Sequence, residues 1–382
     1  MELICTSVAV LSLLGWSYLM LFHGQFWRLK FADPSPDPEI WPSVDIIVPA
    51  RNEAEMLPRS LASLLDQDYP GGWRVLLVDD HSVDGTAHIA QRLAEKKGKD
   101  NRFDVIAAPG LPKGWSGKVA AMQAGVAQSY ADYILFTDAD IEHPRDSVRR
   151  LVRQSVDRKL DLNSLMVCLH CSSVAEQFLI PAFVFFFALL YPFRLADNPD
   201  SSVAAAAGGV MLVRRWALDN IGGLAAIKSA LIDDCSLARK IKASGGENAT
   251  NGRIELSLAS DVKSLRLYPE INDIWAMVAR TAFTQLRQSP LLLAGTVVGM
   301  GVLFLAPPAL PLFAGLWPSI YGLMAWTIMT LLYVPTVLFF RLPLYWALTL
   351  PAAAVIYIGA TLDSARLAWS GRGGQWKGRA QA

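Results

Sequence analysis

The sequence predicts an α/β domain built on a mostly parallel sheet and flanked by transmembrane helices. Between residues 44 and 170, short strands alternate with amphipathic helices, as in a parallel sheet covered on both faces. Two stretches, 4–22 and 290–362, are almost free of charge and long enough to cross a membrane. Strands of the central region end in carboxylates, which points to a ligand site at one edge of the sheet.

The composition supports the membrane assignment. Of 382 residues, 53% are hydrophobic and 18% are charged, which is more apolar than an ordinary soluble protein. Lys and Arg number 35 against 34 Asp and Glu, so no positive field attracts a polyanion and no nucleic-acid partner is expected. Four cysteines are too few for a disulfide framework and fit a reducing compartment.

The N-terminal apolar stretch is predicted to be an anchor, residues 1–30. A signal peptide is the alternative, but Glu2 replaces a basic start and no small-residue cleavage site follows. Arg28 and Lys30 come directly after the stretch instead. Because positive charge favours the cytoplasmic side, the domain that follows is expected in the cytoplasm.

The C-terminal region, residues 290–363, is predicted to form transmembrane helices. Its hydrophobic blocks can be drawn at 291–306, 319–340 and 344–362. Pro307-Pro308 follows the first block, which is therefore expected to be broken there and to be re-entrant or to form a hairpin with 309–317. The number of crossings, and with it the side of the basic tail at 364–382, stays open.

Two further segments are predicted to lie at the membrane surface or against the domain. The apolar run 178–193 is short for a span, so an interfacial segment and a buried core helix are both open interpretations. Residues 271–288 are predicted to form one amphipathic helix, and 271–289 is taken as an interfacial segment. The α/β domain between the anchors is placed at 40–270.

The acidic strand ends are the central observation. Strands are predicted at 44–50, 73–80, 102–108 and 132–140. The second ends in Asp79 and Asp80, and the fourth in Asp138 and Asp140, so four carboxylates are expected to converge from neighbouring strands. Asp is also common in turns, but two strands that end in the same way favour a shared site. A cation or hydrogen-bond donors must then offset the mutual repulsion and desolvation of the four carboxylates.

The helices of the domain begin at polar residues. Asn52 is predicted to begin the helix after the first strand, and Asp84 to cap the helix after the second. Lys118, after a glycine-bearing loop, is predicted to lie at a helix start. An ammonium group and free backbone N–H groups at that position would favour phosphate.

These residue types suit a nucleoside diphosphate. Mg²⁺ typically takes one or two protein carboxylates together with phosphate oxygens, and Asp138 and Asp140 supply such a pair. Asp79 and Asp80 can accept hydrogen bonds from a base or a ribose.

A second group of residues follows at 205–243. Gly208 and Gly209 permit close approach of a ligand. Asp233 and Asp234 open a helix, where a carboxylate can simply complement the helix dipole or can act as a general base. The residues alone leave both roles open.

Seven motifs in order resemble the family-2 glycosyltransferases of the GT-A fold, and in particular the hopene-associated glycosyltransferases. The resemblance covers about residues 44–290 and consists of VPARNE (48–53), LLVDDHSVDGT (76–86), SGKVAAMQAG (116–125), FTDADI (136–141), AAGGVMLVRR (206–215), IDDCSLA (232–238) and RTAFTQLR (280–287).

The resemblance implies specific roles. The donor-binding residues would be Ala50, Glu53, Asp79, Asp80, Lys118, Asp138 and Asp140, with Mg²⁺ or Mn²⁺ on Asp140 and Asp138. Asp234 would be the base that deprotonates the acceptor, with inversion at the sugar carbon. The acceptor or phosphate side would include Gly208, Gly209, Asp233, Gln285 and Arg287.

Two departures from the family pattern matter. Asp233 stands where many relatives have Glu, and 285–288 (QLRQ) only partly matches the Gln-x-x-Arg-Trp signature of processive synthases. Transfer of a single sugar is therefore favoured over polymerisation. The tail, 371–379, resembles a Trp-Lys-Gly-Arg element of lipid-modifying relatives, which would place it on the cytoplasmic side.

The leading hypothesis is a metal-dependent transfer of sugar from a nucleotide-sugar donor, expected to be a UDP-sugar, onto a lipid acceptor such as a hopanoid. The resemblance implies the bacterial inner membrane, with the catalytic domain in the cytoplasm. The alternatives are a polyprenyl-phosphate glycosyltransferase and a catalytically silent membrane scaffold that binds nucleotide-sugar.

Overall fold

A computed structural model describes residues 2–246 and 251–373, and the backbone alone of 375–376 and 379–380. The strands are β1 (Val44–Ala50), β2 (Trp73–Asp79), β3 (Phe103–Ala107), β4 (Tyr133–Thr137), β5 (Ile141–Glu142), β6 (Leu162–Cys168), β7 (Val210–Arg214), β8 (Ile254–Ser264), β9 (Gln375–Trp376) and β10 (Arg379–Ala380). The α-helices are α1 (Glu2–Leu21), α2 (Leu57–Leu65), α3 (Thr86–Lys96), α4 (Gly117–Val126), α5 (Ser147–Asp157), α6 (Val174–Leu190), α7 (Phe193–Asp197), α8 (Arg215–Asn220), α9 (Asp233–Ala243), α10 (Ile271–Ala279), α11 (Ala282–Gln285), α12 (Pro290–Met300), α13 (Ala306–Phe313), α14 (Leu316–Phe339) and α15 (Leu350–Trp369).

The chain forms two compact units. The helical unit comprises 1–29, 171–194 and 267–374, and the sheet unit comprises 30–170, 195–266 and 375–382.

The sheet unit is built on eight strands in the order β3-β2-β1-β4-β7-β6-β8-β5. The pairs β1–β2, β1–β4, β2–β3 and β6–β8 are parallel, and β4–β7, β6–β7 and β5–β8 are antiparallel. The predicted α/β fold with a mostly parallel sheet is confirmed.

Alternate residues of β1 face two separate cores. Ile46 and Val48 pack with α2, whereas Ile47 packs with α4, and all three side chains are fully buried. Successive side chains of a strand point to opposite faces, so a strand covered on both sides is mostly apolar. This explains the hydrophobic run of 46–50; the charge of the preceding Asp45, which is also buried, is paired with Arg74 at 2.8 Å.

The strand order corrects one expectation. β2 and β4 are not neighbours, because β1 lies between them. All three strands run parallel, so their carboxyl ends still lie at the same edge of the sheet, with Ala50 between the two acidic ends.

Two helix starts also differ from the prediction. Asn52 does not begin α2: its backbone is left-handed at φ 52°, its Oδ1 accepts from Val83 N–H at 2.9 Å, and the helix begins five residues later at Leu57. Asp84 is not the N-cap of α3, which is Gly85; its Oδ1 accepts from Thr86 N–H at 3.0 Å and its Oδ2 from Ala54 N–H at 3.0 Å. Both polar side chains join loops instead of capping helices.

The helical unit contains four helical segments long and apolar enough to cross a membrane, within the part of the chain that the structure describes. They are Glu2–Leu21, Pro290–Phe313, Leu316–Phe339 and Leu344–Trp369.

The apolar run 178–193 falls mainly in α6, which is a packed helix. The Phe185 ring lies 5.1 Å from that of Tyr333 in α14, and Tyr357 of α15 donates its hydroxyl to Leu179 O at 3.0 Å. Leu179, Phe185 and most of the central residues are buried. The core-helix interpretation therefore describes α6.

Pro307 and Pro308 do not break the helical path as predicted. A π-helical turn, Gly301–Leu305, joins α12 to α13. Pro307 has no N–H, so the carbonyl four residues earlier, that of Leu303, lacks its usual helical partner. Trp16 of α1 fills this role, because its Nε1–H donates to Leu303 O at 2.7 Å.

This contact gives a testable prediction. Trp16→Phe removes the donor and is expected to lower the free energy of unfolding by about 1 kcal/mol, the usual net worth of a hydrogen bond. Unfolding in detergent, followed by tryptophan fluorescence, measures it, with exposed Trp317→Phe as the matched control. In a Pro307→Ala background the loss should be smaller, since an alanine restores the missing backbone N–H; equal losses in both backgrounds would contradict the assignment.

The segment 271–288 forms two helices, not one. α10 ends at Ala279 and α11 begins at Ala282. Trp275 of α10 packs on Gly359 of α15, where an added Cβ would lie 2.5 Å from the ring, and its Nε1–H donates to Asp363 at 3.0 Å. The predicted basic tail begins inside α15, and Lys377 and Gly378 of its Trp-Lys-Gly-Arg element lie outside the described residues.

Candidate active site

Lys118 is the cation at the centre of the site. Its Nζ lies 2.8 Å from Asp138 Oδ1, just beyond β4, and 3.4 Å from Asp233 Oδ2, in the first turn of α9. Burial acts to lower the pKa of Lys118, but the charges of Asp138 and Asp233 outweigh it and hold the pKa well above its usual range. The lysine is therefore charged and joins two predicted site residues from different elements.

Asp234 is held by backbone N–H groups. Its Oδ2 accepts from Gly208 N–H at 2.8 Å and its Oδ1 from Cys235 N–H at 2.7 Å. Burial, together with the charge of Asp233, raises the pKa of Asp234 to about 6, against the opposing effects of the two N–H groups and Lys118. A carboxylate with this pKa is ionised at neutral pH and still basic enough to accept a proton.

The two glycines allow the chain itself to close on these residues. A Cβ on Gly208 would lie 3.2 Å from Lys118 Nζ and 3.3 Å from Asp234 Oδ2. Gly209 O accepts from Thr137 Oγ1 at 2.8 Å and from Asp138 N–H at 3.3 Å. The pair thus connects the start of β7 to the end of β4, a structural role that the sequence interpretation did not include.

Asp140 and Glu53 share a cation that sequence reasoning missed. Arg266 donates through Nε to Asp140 Oδ2 at 2.7 Å and through Nη2 to Glu53 Oε1 at 3.3 Å. Arg266 follows β8, whose Ser264 pairs with Ile141 next to Asp140. The alternating apolar residues at 254–264 could have indicated Arg266 from the sequence. They mark a strand, which places the residues after it at the sheet edge.

Asp79 and Asp80 lie beside the end of β1. Asp80 N–H donates to Ala50 O at 2.8 Å, and Arg51, also missed from the sequence, donates to Asp80 O at 2.6 Å. Asp79 Oδ1 is buried and makes no hydrogen bond to any described residue. A buried acceptor left unpaired costs about 1–3 kcal/mol, which a ligand donor would remove.

The predicted residues therefore fall into three groups. One is Lys118 with Asp138, Asp233, Asp234 and Gly208; another is Asp140 with Glu53; the third is Ala50 with Asp79 and Asp80. Gln285 and Arg287 belong to the helical unit, where Gln285 Nε2 donates to the Tyr191 hydroxyl and Arg287 is exposed with φ 52°. Their acceptor-side role stays a prediction.

A divalent cation fits the pair Asp138 and Asp140. Within 2–246 and 251–373, no three His, Cys, Asp or Glu residues group as metal ligands. A protein-only cage is not required, because Mg²⁺ bound with a nucleotide takes one or two carboxylates and completes its shell with phosphate and water. Each carboxylate accepts from a different cationic side chain, but burial raises the pKa of Asp138 and the charge of Asp140 raises it further, so the two carboxylates lie near each other.

The fold and this acidic edge define the sheet unit as a glycosyltransferase domain of the GT-A type. A family model for glycosyl transferase family 2 matches residues 45–222. An N-acetylglucosaminyltransferase of Rhizobium leguminosarum bv. trifolii is 35% identical over 161 residues, which cover 40% of this chain and 85% of that protein. The chain belongs to glycosyltransferase family 2.

Other relatives are matched over a smaller part of their length. An N-acetylglucosaminyltransferase of Mesorhizobium japonicum is 34% identical over 180 residues, 47% of this chain and 39% of the relative. An undecaprenyl-phosphate 4-deoxy-4-formamido-L-arabinose transferase of Pseudomonas fluorescens is 32% identical over 116 residues, 29% of this chain and 32% of the relative. The chain thus spans about a third of the length of these two relatives.

Among solved structures, a mannosyltransferase resembles most of this chain. A mannosyltransferase from Pyrobaculum calidifontis, in complex with GDP-Man and Mn²⁺, superposes with a TM-score of 0.59 at 20% identity, covering 94% of this chain and 99% of that one. At this identity the likeness establishes the fold.

Proposed function

We propose that this protein is a membrane-bound, inverting glycosyltransferase that moves a sugar from a nucleoside-diphosphate sugar to a lipid acceptor. The observation that carries the proposal is Asp234, a carboxylate with a raised pKa held by two N–H groups beside the Lys118–Asp138 ion pair. A base next to a fixed cation suits a reaction in which a hydroxyl loses a proton while a diphosphate gains negative charge.

The reaction has one displacement. The acceptor oxygen forms a bond to the anomeric carbon as that carbon loses its bond to the β-phosphate oxygen. The hydroxyl proton passes to Asp234, and the electron pair of the broken bond stays on the diphosphate. Asp138 and Asp233 already hold Lys118 in place before the reaction. Its ammonium group therefore stabilises the departing anion without a rearrangement during the reaction.

Asp138 and Asp140 are the residues that would hold Mg²⁺ or Mn²⁺. The cation would neutralise diphosphate charge when bound. The resembling mannosyltransferase was solved with GDP-Man and Mn²⁺, which supports the same pairing of nucleotide and metal in this fold.

Asp79 is proposed to bind the nucleoside. Its buried, unpaired Oδ1 lies at the end of β2, and Ala50, at the end of the adjoining strand, pairs with it in register. A ribose hydroxyl or a base N–H would supply the missing donor. Asp80, anchored to Ala50 and Arg51, supports this end of the site, and we propose a UDP-sugar as the donor.

A lipid acceptor is supported by the helical unit. Within the described residues, four helical segments are long and apolar enough to span a membrane, which would hold the chain where lipid acceptors are present. Arg28 and Lys30 follow the first of them, which supports a cytoplasmic sheet unit at a bacterial inner membrane. A hopanoid or a comparable polycyclic or long-chain lipid with a hydroxyl group is the proposed acceptor class.

A second acceptor class is a polyprenyl phosphate. The relative named as an undecaprenyl-phosphate transferase favours it. An ionised phosphate needs no base, so this chemistry leaves Asp234 without a proton to accept.

Lipid analysis of transfer reactions tests the proposal. Purified full-length protein is incubated with UDP- and GDP-sugars, Mn²⁺ or Mg²⁺, and either hopanoid alcohols or polyprenyl phosphate, and products are identified by mass spectrometry. A sugar joined to the alcohol by an O-glycosidic bond is expected. A phosphodiester-linked product supports the second class, and donor binding without turnover on any acceptor indicates a silent scaffold and overturns the enzyme assignment.

The pKa of Asp234 predicts the pH dependence. The base is inactive when protonated, so the rate should rise tenfold per pH unit below about pH 6 and level off above it. Initial rates between pH 4.5 and pH 8, in buffers of constant ionic strength, measure this. A flat profile across about pH 6 would argue against Asp234 as the base.

A further inference from the structure

Arg266 makes a contact that any cation bound to Asp140 must replace or share. The Nε–Oδ2 distance to Asp140 is 2.7 Å, and Nη2 is 3.3 Å from Glu53 Oε1. The Asp140 side chain is 12% exposed and that of Arg266 35%, so the arginine is the more accessible partner of this pair. The arginine side chain is therefore the one expected to rearrange.

The surroundings fix Asp140 in place. Leu265 N–H donates to Asp140 O at 2.8 Å, and Ile141 pairs with Ser264 in the β5–β8 ladder. The backbone of Asp140 is therefore tied to the residues that precede Arg266. A change in the Arg266 side chain alone, without movement of the strand, would free one oxygen of the carboxylate.

We propose that Arg266 sets the metal affinity of the donor site by competing with a divalent cation for Asp140. The inference rests on the proposed function, because it takes Asp138 and Asp140 as the metal-holding pair. A guanidinium and a divalent ion on the same carboxylate repel each other, so binding of one weakens binding of the other. Glu53 still accepts from Arg266 when Asp140 binds the metal, which lowers the free-energy cost of the exchange.

The consequence is a site that binds metal weakly by itself and more tightly once a diphosphate arrives. The diphosphate adds negative charge to the metal and offers the displaced guanidinium a further acceptor. Arg266 would thus favour loading of metal and nucleotide together over metal alone.

Metal binding without donor or acceptor tests the proposal. Mn²⁺ is titrated into the purified full-length protein, and free Mn²⁺ is measured by electron paramagnetic resonance. Arg266→Gln is expected to bind Mn²⁺ about tenfold more tightly than the wild type, the equivalent of one charge-assisted hydrogen bond partly screened by solvent. Arg266→Lys keeps the positive charge but loses the planar guanidinium that donates to both carboxylates. Its Mn²⁺ affinity should lie between those of the wild type and Arg266→Gln.

The matched control is Arg59→Gln. Arg59 pairs with Glu142, two residues from Asp140, at 2.8 Å, so this variant removes the same charge from the same region without touching Asp140. Its Mn²⁺ affinity should stay within about twofold of the wild type, as expected for an exposed ion pair.

The outcomes separate the two proposals. Mn²⁺ binding by Arg266→Gln that is equal to or weaker than that of the wild type, including no measurable binding by either, overturns the competition. If Asp140→Asn binds Mn²⁺ as well as the wild type, the metal site of the proposed function is wrong. In the double variant Asp140→Asn/Arg266→Gln, the tenfold gain should disappear.

Discussion

Replacing Asp234 with asparagine is expected to lower kcat at least about 100-fold, the usual contribution of a general base. Asparagine keeps the shape but can accept from only one of the two N–H groups, Gly208 at 2.8 Å or Cys235 at 2.7 Å, because an NH2 group replaces its second oxygen. It cannot accept the proton of the acceptor hydroxyl. Steady-state transfer kinetics, with donor affinity measured separately by calorimetry, should show a loss of turnover and little change in donor binding.

Asp261→Asn is the control for the amide substitution. Asp261 is an aspartate of β8 that forms an exposed ion pair with Arg150. Its replacement should leave kcat within about twofold, since exposed pairs contribute little. Full turnover by Asp234→Asn would remove Asp234 from the base role and would favour a phosphate acceptor.

Lys118→Met is expected to damage both stability and donor binding. Asp138, Asp233 and Asp234 would lose their shared cation, and removing one partner of a largely buried ion pair costs about 2–3 kcal/mol after allowance for the partial exposure of Asp138. Affinity for a nucleoside diphosphate should fall at least about tenfold, because a positive charge at the phosphate is lost. Chemical denaturation and calorimetric titration with UDP and Mn²⁺ measure the two effects.

The two effects can be separated with a second substitution. Asp138→Asn in the Lys118→Met background removes one of the unpaired charges and should restore part of the stability without restoring donor affinity. Lys97→Met, at a surface lysine paired with Asp66, is the control and should change neither quantity. Unaltered stability of Lys118→Met would show that the three carboxylates do not depend on this cation.

The sequence was sufficient where the hydrophobic pattern is strong. The predicted bounds of β1 agree with the observed ones because 46–50 is apolar on both faces, and α9 is predicted because Asp233 and Asp234 open a run with helical spacing. The acidic edge followed from strand direction alone. The role of Lys118 as a phosphate ligand stays a prediction, and the structure shows that this lysine joins Asp138 to Asp233.

The rest depended on contacts between distant parts of the chain. Strand order is set by tertiary pairing, so nothing local indicated that β1 separates β2 from β4. The continuous path through Pro307 depends on Trp16, nearly 300 residues earlier, and the partner of Asp140 is Arg266, 126 residues later. Asn52 is predicted to begin a helix because local spacing does not show its left-handed backbone. That conformation is stabilised by the hydrogen bond from Val83 N–H to the Asn52 side chain.

A crystal structure of the protein with Mn²⁺ and a nucleoside diphosphate would locate the proposed donor site. We expect an anomalous manganese signal at the carboxylates of Asp138 and Asp140, with the diphosphate beside Lys118 and the nucleoside at Asp79. Nucleotide bound away from these residues, for example in the cavity lined by Tyr130, Lys159 and Trp216 beside the start of β4, would contradict it.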